Sequence, residues 1–158
     1  MIKLTDKQSI RTEKLLQQLD GKGSEKERAA IRKLRASLGT SFPDQMLGHY
    51  RISRIKSIRA SCLLYCFPNA RTSNAAKELA MLALRDKSKA VRYRACQLLA
   101  YSQDRNLLGG IEQVRNSIDA ESRPDLDAVL DAISNQNQHF FKDREHSGRI
   151  FMELGRDS

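Results

Sequence analysis

The chain has 158 residues, of which 40% are apolar and 6% aromatic, and Leu, Ala and Ile supply most of the apolar content. This composition excludes a disordered chain and favours interdigitating helices over a β-sandwich. The net charge of +9 is unevenly spread: residues 40–103 hold eleven basic and three acidic side chains, whereas residues 104–137 hold three and seven.

Three cysteines, an odd number, argue against a disulfide framework and for a reducing compartment. The segment from Met1 to Asp6 lacks the apolar core of a signal peptide, and no apolar run is long enough to span a bilayer. We therefore expect a cytoplasmic protein without a membrane partner, folded as one domain over residues 1–158.

Two helices are predicted at the start of the chain. Apolar residues within residues 4–19 recur at helical spacing, and a glycine-containing turn follows. Ser24 and Glu27 then form a capping-box pattern, in which both side chains would satisfy the first backbone donors of the second helix. Residues 1–39 thus predict an N-terminal helical hairpin, and residues 40–47 predict a connection.

Residues 48–67 predict one long helix with a buried apolar face at helical spacing. That face consists of Ile52, Ile55, Ile58, Cys62, Tyr65 and Cys66. The opposite face has small residues in place of charged ones, so we expect another helix to pack there too. Its residues are Ser53, Ser57, Ala60, Ser61 and Leu64.

Further helices are predicted after a break at Pro68. The first covers residues 75–85, and the second follows a turn at 86–92 and ends at about 101. The third covers residues 107–118, and the fourth begins at 122–125 and ends at about 134. The tail over residues 138–158 predicts a short β-strand or an irregular turn anchored by aromatic side chains.

Two weak internal repeats connect these helices. The triplet at residues 62–64 corresponds to residues 96–98 at a spacing of 34. Leu98, Ala100 and Ser102 correspond to residues 130, 132 and 134 at a spacing of 32.

One of these segments resembles the turn of a HEAT repeat, in which an Asp precedes Val-Arg at the start of the second helix of a hairpin. Asp86 followed by Val91 and Arg92 has this form, and Ile58-Arg59 matches it without the Asp. The resemblance covers residues 48–134. It implies an all-α fold, a short right-handed stack of antiparallel helical hairpins (a HEAT-like α-solenoid), in which each apolar face is covered by a neighbour.

The resemblance also implies that other macromolecules bind on the concave side, which the second helices line. Tyr93, Gln97 and Tyr101 follow one another at i, i+4 and i+8 on one such helix, with Arg94 beside them. Tyr and Arg are typical interface anchors, so these residues are candidates for binding a protein. The alternative is that the tyrosines pack on adjacent hairpins.

A second candidate for protein binding is the acidic segment at residues 119–131. Asp127 and Asp131 lie four residues apart on one helix, where a basic partner would relieve their repulsion. The alternative is a solvated face. By analogy with small immunity proteins that neutralise a toxin domain, we expect a non-enzymatic protein-binding module whose partner is a basic toxin domain such as a nuclease.

Nucleic-acid binding is the other function that the sequence suggests. Basic side chains between residues 51 and 94 are numerous enough to form a phosphate-binding surface. The five assigned to it are Arg51, Arg54, Lys56, Lys87 and Lys89. For Arg59 and Arg92 the alternative is a structural role, in which they pair with turn acids such as Asp86.

Metal binding and catalysis are not expected. Cys62 and Cys66 are spaced more widely than the usual paired zinc ligands. His139 and His146 lie in a polar segment, residues 139–148, but nothing in the sequence pairs them for acid–base chemistry. We therefore assign no catalytic residue, no metal and no cofactor.

Overall fold

A computed structural model describes residues 3–153 of the chain. The regular secondary structure of these residues is entirely helical, which confirms the predicted all-α class. The α-helices are α1 (Asp6–Leu16), α2 (Glu25–Leu38), α3 (Phe42–Ile52), α4 (Lys56–Tyr65), α5 (Asn74–Ala83), α6 (Lys89–Ser102), α7 (Leu108–Ser117) and α8 (Arg123–Ser134). Short 3₁₀ turns lie at Gly39–Ser41, Phe67–Asn69, Arg105–Leu107 and Gln138–Phe141.

The helices pair in chain order into four hairpins, α1 with α2, α3 with α4, α5 with α6, and α7 with α8. The second helices α4, α6 and α8 pack on one another in that order, and α3 also packs on α5. Eight of the fourteen residues of α6 are buried, because this helix lies between α4 and α8. None of the helices described is long and apolar enough to cross a membrane.

The predicted single helix over residues 48–67 is wrong, as is the predicted connection at 40–47. α3 already begins at Phe42, and Pro43 sits in its first turn, where the missing N–H costs nothing. α3 ends at Ile52, and extended backbone then leads into α4. Ile52 and Ile55, expected on the buried face, are instead 76% and 55% exposed, because they flank this break.

The N-terminal hairpin is held to the next one by a buried carboxylate, that of Glu27. Ser24 caps α2 as predicted, by accepting a hydrogen bond from the Glu27 backbone N–H (3.1 Å). The Glu27 Oε2 accepts from the backbone N–H groups of Asp20 (2.8 Å) and Gly21 (2.6 Å) in the preceding turn. Its Oε1 accepts from the hydroxyls of Ser61 (3.2 Å) and Tyr65 (2.9 Å) on α4.

Gly21 lets the same turn approach α4 closely. Its φ of +73° lies in the left-handed region, and a Cβ built there would lie 2.5 Å from the carbonyl carbon of Ser57. Since Glu27 is fully buried and all four of its hydrogen bonds are made at this junction, the turn at 20–23 is fixed against the start of α4.

We predict that Glu27→Ala lowers the free energy of unfolding by about 3 kcal/mol, because it removes the acceptor of four hydrogen bonds, two of them buried, and opens a cavity. Chemical denaturation followed by circular dichroism measures this change. Glu25→Ala is the matched control, since Glu25 is in the same helical turn but is exposed. An equal effect of the two substitutions would contradict the role assigned to Glu27.

Candidate functional site

A buried ion pair fixes the turns of the second and third hairpins against each other. The Arg59 guanidinium on α4 donates to both carboxylate oxygens of Asp86, from Nε (2.8 Å) and Nη2 (3.0 Å). The Tyr50 hydroxyl donates to the same carboxylate at 2.6 Å. The side chains of Arg59 and Asp86 are only 14% and 4% exposed. This pair joins the turn at 53–55 to the turn at 85–88.

The pKa shifts of these groups keep the pair charged. Burial alone would raise the pKa of the Asp86 carboxyl, but the hydrogen bonds from Arg59 and Tyr50 outweigh it, and the net result is a lowered pKa. The hydrogen bond to Asp86 raises the pKa of Arg59, and burial raises that of Tyr50. Asp86 is therefore ionised at neutral pH and serves as a structural anion.

Arg92 makes corresponding contacts one hairpin later. Its Nη1 donates to the carbonyl of Asp86, six residues earlier, as Arg59 donates to the carbonyl of Ser53. Its Nε donates to the Ser122 hydroxyl at the next turn (2.9 Å). Arg59 and Arg92 thus have the structural role that was the alternative to phosphate binding. Both guanidiniums are hydrogen-bonded within the chain.

The exposed cations around these turns form one surface, which we call the basic turn face. It consists of Arg51, Arg54, Lys56, Arg85, Lys87 and Lys89. Five of these six residues are the ones predicted to bind phosphate, and the structure brings all five together. An outer cleft of about 780 Å³ is lined by Arg51, Arg54, Arg85 and Lys87. An adjoining rim cleft of about 570 Å³ is lined by Arg54, Lys56, Lys87 and Lys89.

Most cations of the basic turn face have no acidic partner. Arg51 pairs with Glu78 (2.9 Å) and Lys89 with Glu121 (3.1 Å), both on the surface. Within residues 3–153, the side chains of the other four make no ion pair or hydrogen bond: Arg54, Lys56, Arg85 and Lys87. The one carboxylate in the outer cleft, that of Asp86, is neutralised by Arg59. The face therefore carries unbalanced positive charge, which can attract an anion.

The tyrosine surface predicted on α6 is in contact with other parts of the chain. Tyr93 packs on Phe141 of the C-terminal segment, with ring centroids 5.4 Å apart. Tyr101 packs on Phe67 (5.8 Å), and the Arg71 guanidinium lies over its ring. Gln97 is buried and accepts a hydrogen bond from Arg94 (3.1 Å). Tyr101 thus packs on an adjacent hairpin, as in the alternative interpretation, whereas Tyr93 packs on the C-terminal segment.

The acidic residues predicted to bind a basic partner also have partners within the chain. Asp127 pairs with Arg115 on α7 (2.8 Å), and Asp131 lies 2.5 Å from the Nε2 of His146. Asp125 pairs with Arg144 (2.7 Å). Asp127 thus already has a cationic partner in Arg115, and Asp131 is in hydrogen-bond contact with His146.

Both histidines of the polar C-terminal segment make contacts that hold the segment in place. The His139 Nδ1 accepts from the backbone N–H of Met152 (3.0 Å), and His146 stacks on Phe140 with ring centroids 3.6 Å apart. The buried Asp143 carboxylate accepts from the backbone N–H groups of Ser147 (2.9 Å) and Gly148 (2.7 Å). The segment packs on α8 and α6 as an irregular cover.

The three cysteines are free and lie in the core. Burial raises the pKa of Cys66 and of Cys96 to about 12, so both thiols stay protonated at neutral pH. Among the described residues no three His, Cys, Asp or Glu side chains come together as metal ligands would.

We predict that Asp86→Asn lowers the free energy of unfolding at neutral pH by about 3 kcal/mol, because it leaves Arg59 without its counter-ion. The lowered pKa of Asp86 contributes stability above the ordinary carboxyl pKa and loses it as the pH falls through the folded value. The difference between wild type and variant should therefore shrink on acidification from about pH 5 to pH 3.

Urea denaturation at several pH values measures this difference. Glu78→Gln is the control, since it removes an exposed ion pair between the same two hairpins and should cost less than about 1 kcal/mol. A wild type–Asp86→Asn difference that stays constant across this pH range would contradict the assignment.

Comparisons with protein-family models, with curated proteins and with solved structures found no match for this chain. Its function is therefore inferred from its own charges, clefts and contacts.

Proposed function

We propose that the chain is a non-catalytic binding module of HEAT-like hairpins that takes the phosphate backbone of a nucleic acid on its basic turn face. The observation that carries this proposal is the group of four unpaired cations at two adjoining turns. Arg54 lies in the turn before α4 and Lys56 is the first residue of α4, whereas Arg85 and Lys87 lie in the turn before α6.

Unpaired cations on fixed turns suit a phosphate backbone for a physical reason. Each cation that contacts a phosphate releases a condensed counter-ion, which drives binding without any sequence-reading motif. Since Arg59 and Asp86 hold the two turns together, their exposed cations are presented as a set. Because the backbone of both turns is already fixed, only the side chains of these cations have to be ordered when the ligand binds.

The HEAT-like assignment is supported by contacts that repeat along the chain. Arg59 and Arg92 lie 33 residues apart, and each bonds a carbonyl six residues earlier and a side chain in the next turn. Gln103 and Gln136 are also 33 residues apart, and both have a positive φ after the second helix of a hairpin. A regular spacing of such contacts is what stacked hairpins require.

The acidic segment supports a basic partner less well than the basic turn face supports an anionic one. A basic partner at Asp127 or Asp131 would have to replace contacts with Arg115 or His146. A phosphate at Arg54 or Arg85 would replace only water and counter-ions. The toxin-neutralising role thus remains a proposal by analogy.

A protein partner is the second candidate, and the exposed apolar residues beside the basic turn face favour it. Ile55 is 55% and Leu82 is 44% exposed, and they lie next to Arg54 and in the outer cleft, respectively. Apolar anchors surrounded by Arg are typical of protein interfaces. A protein partner on this face would be acidic.

A pull-down with the tagged chain tests this candidate. A protein that stays bound after nuclease treatment, and that is lost from an Ile55→Ser/Leu82→Ser variant, would support it.

We predict that Arg54→Glu/Arg85→Glu weakens nucleic-acid binding at low salt by at least about tenfold, because it reverses two phosphate contacts. Fluorescence anisotropy with labelled oligonucleotides measures the dissociation constant. Lys7→Glu/Arg11→Glu is the matched control, since it changes the net charge equally on the exposed side of α1. Equal weakening by both variants would show that the effect comes from net charge and not from the basic turn face. If wild type bound none of the probes, the proposal would be contradicted.

A further inference from the structure

Three clefts join into one trough that crosses the edge of the second and third hairpins. The outer and rim clefts share Arg54, Arg59 and Lys87. The rim cleft shares Lys56, Ser88 and Ala90 with a third, inner cleft of about 430 Å³. The trough therefore runs from the ends of α3 and α5, over the two turns, to the first turns of α4 and α6.

The inner cleft continues the positive charge of the basic turn face. Lys22 lies on one side of it, Arg94 on the other, and Lys56 at its junction with the rim. Its one carboxylate is that of Glu27, which is fully buried and whose oxygens already accept four hydrogen bonds. Small side chains between the cations leave the cleft open: Ser57, Ala60, Ser61, Ser88 and Ala90.

The wall that carries Lys22 is held rigidly in place. The turn at 20–23 is tied to α4 by the hydrogen bonds of Glu27 and by the close approach of Gly21 to Ser57. The backbone of Lys22 thus has a fixed position relative to that of Lys56 on α4. The N-terminal hairpin thereby contributes a cation to a trough that the second and third hairpins otherwise form.

We propose that this trough is a track for single-stranded nucleic acid, an inference that rests on the proposed function. A chain that binds along the whole trough must turn from the outer side of the hairpins, over their edge, to the inner side. A single strand bends freely over this distance, whereas duplex DNA has a persistence length of about 150 base pairs. A duplex can reach the cations of the outer and rim clefts but cannot follow the trough into the inner cleft.

The lining of the trough also indicates how a strand would be held. Of the residues lining the three clefts, all within the described part of the chain, only Tyr50 is aromatic, and it is buried with its hydroxyl bonded to Asp86. Base stacking on aromatic rings therefore adds little, and phosphate contacts carry the affinity. Binding should tolerate any base sequence and weaken steeply with salt.

The test compares a fluorescein-labelled oligothymidylate of about 12 nucleotides, within the site sizes of small single-strand-binding domains, with a duplex of equal length. Wild type should bind the single strand at least about tenfold more tightly. The inner variant Lys22→Gln/Arg94→Gln should weaken the single strand by about tenfold and leave the duplex within about twofold. The outer variant Arg54→Glu/Arg85→Glu should weaken both.

A second inner variant, Ala60→Met, fills the inner cleft without a change in charge and guards against a folding defect in the first. Thermal unfolding by circular dichroism checks that both inner variants fold. The single-strand inference is overturned if the duplex binds as tightly as the single strand, or if folded inner variants bind both probes like wild type. The proposed function survives that result as long as the outer variant weakens binding. If neither probe binds wild type at low salt, the proposed function fails and the inference with it.

Discussion

The ion pair between Arg59 and Asp86 is the interaction on which the rest of this surface depends. Two charges taken out of water are costly unless their geometry is good, and here two guanidinium hydrogen bonds and the Tyr50 hydroxyl satisfy the carboxylate. The two residues are 27 apart in sequence, and their pairing joins the turn at 53–55 to the turn at 85–88. Because it fixes them, the exposed cations on both turns face one cleft.

The pairing of charges within the chain decides which surface can bind a partner. Acidic side chains on α8 contact Arg115, Arg144 and His146. The tyrosines of α6 contact the C-terminal segment and Arg71. The excess of cations is left on the turns before α4 and α6. Under the proposed function, local pairing rather than net charge is what would direct a polyanion to the basic turn face.

Helical periodicity and capping residues predicted the later helices well, but they misplaced the break between α3 and α4. Ile52 and Ile55 fit the same period as Ile58, and no Gly or Pro marks residues 53–55, so the pattern reads as one helix. Residues 40–47 were predicted as a connection, although in the structure Pro43 lies in the first turn of a helix. The break is a tertiary outcome: ending α3 at Ile52 lets Tyr50 and Arg59 reach Asp86 from two different helices.

From the charge density along residues 51–94, five cations were assigned to one surface, and they line adjoining clefts because they lie at turns that stacked hairpins bring together. Charge density could not predict which cations are already paired, since each pairing depends on contacts far apart in sequence, such as Lys89 with Glu121. The inner cleft had one sequence signal, the small residues Ser57, Ala60 and Ser61 on α4. They were expected to accommodate a helix, whereas the structure places the turn at 20–23 and an open cleft there.

The central claim is that phosphate contacts on fixed, unpaired cations drive binding, and the salt dependence of affinity tests it most directly. The dissociation constant of the intact protein for labelled oligothymidylate should be measured by anisotropy over a series of salt concentrations. About six phosphate contacts, four with the unpaired cations and two with Lys22 and Arg94 of the inner cleft, predict a slope of about −4 for the logarithm of the association constant against the logarithm of salt concentration. A slope near zero, or no binding at the lowest salt concentration, would contradict this account.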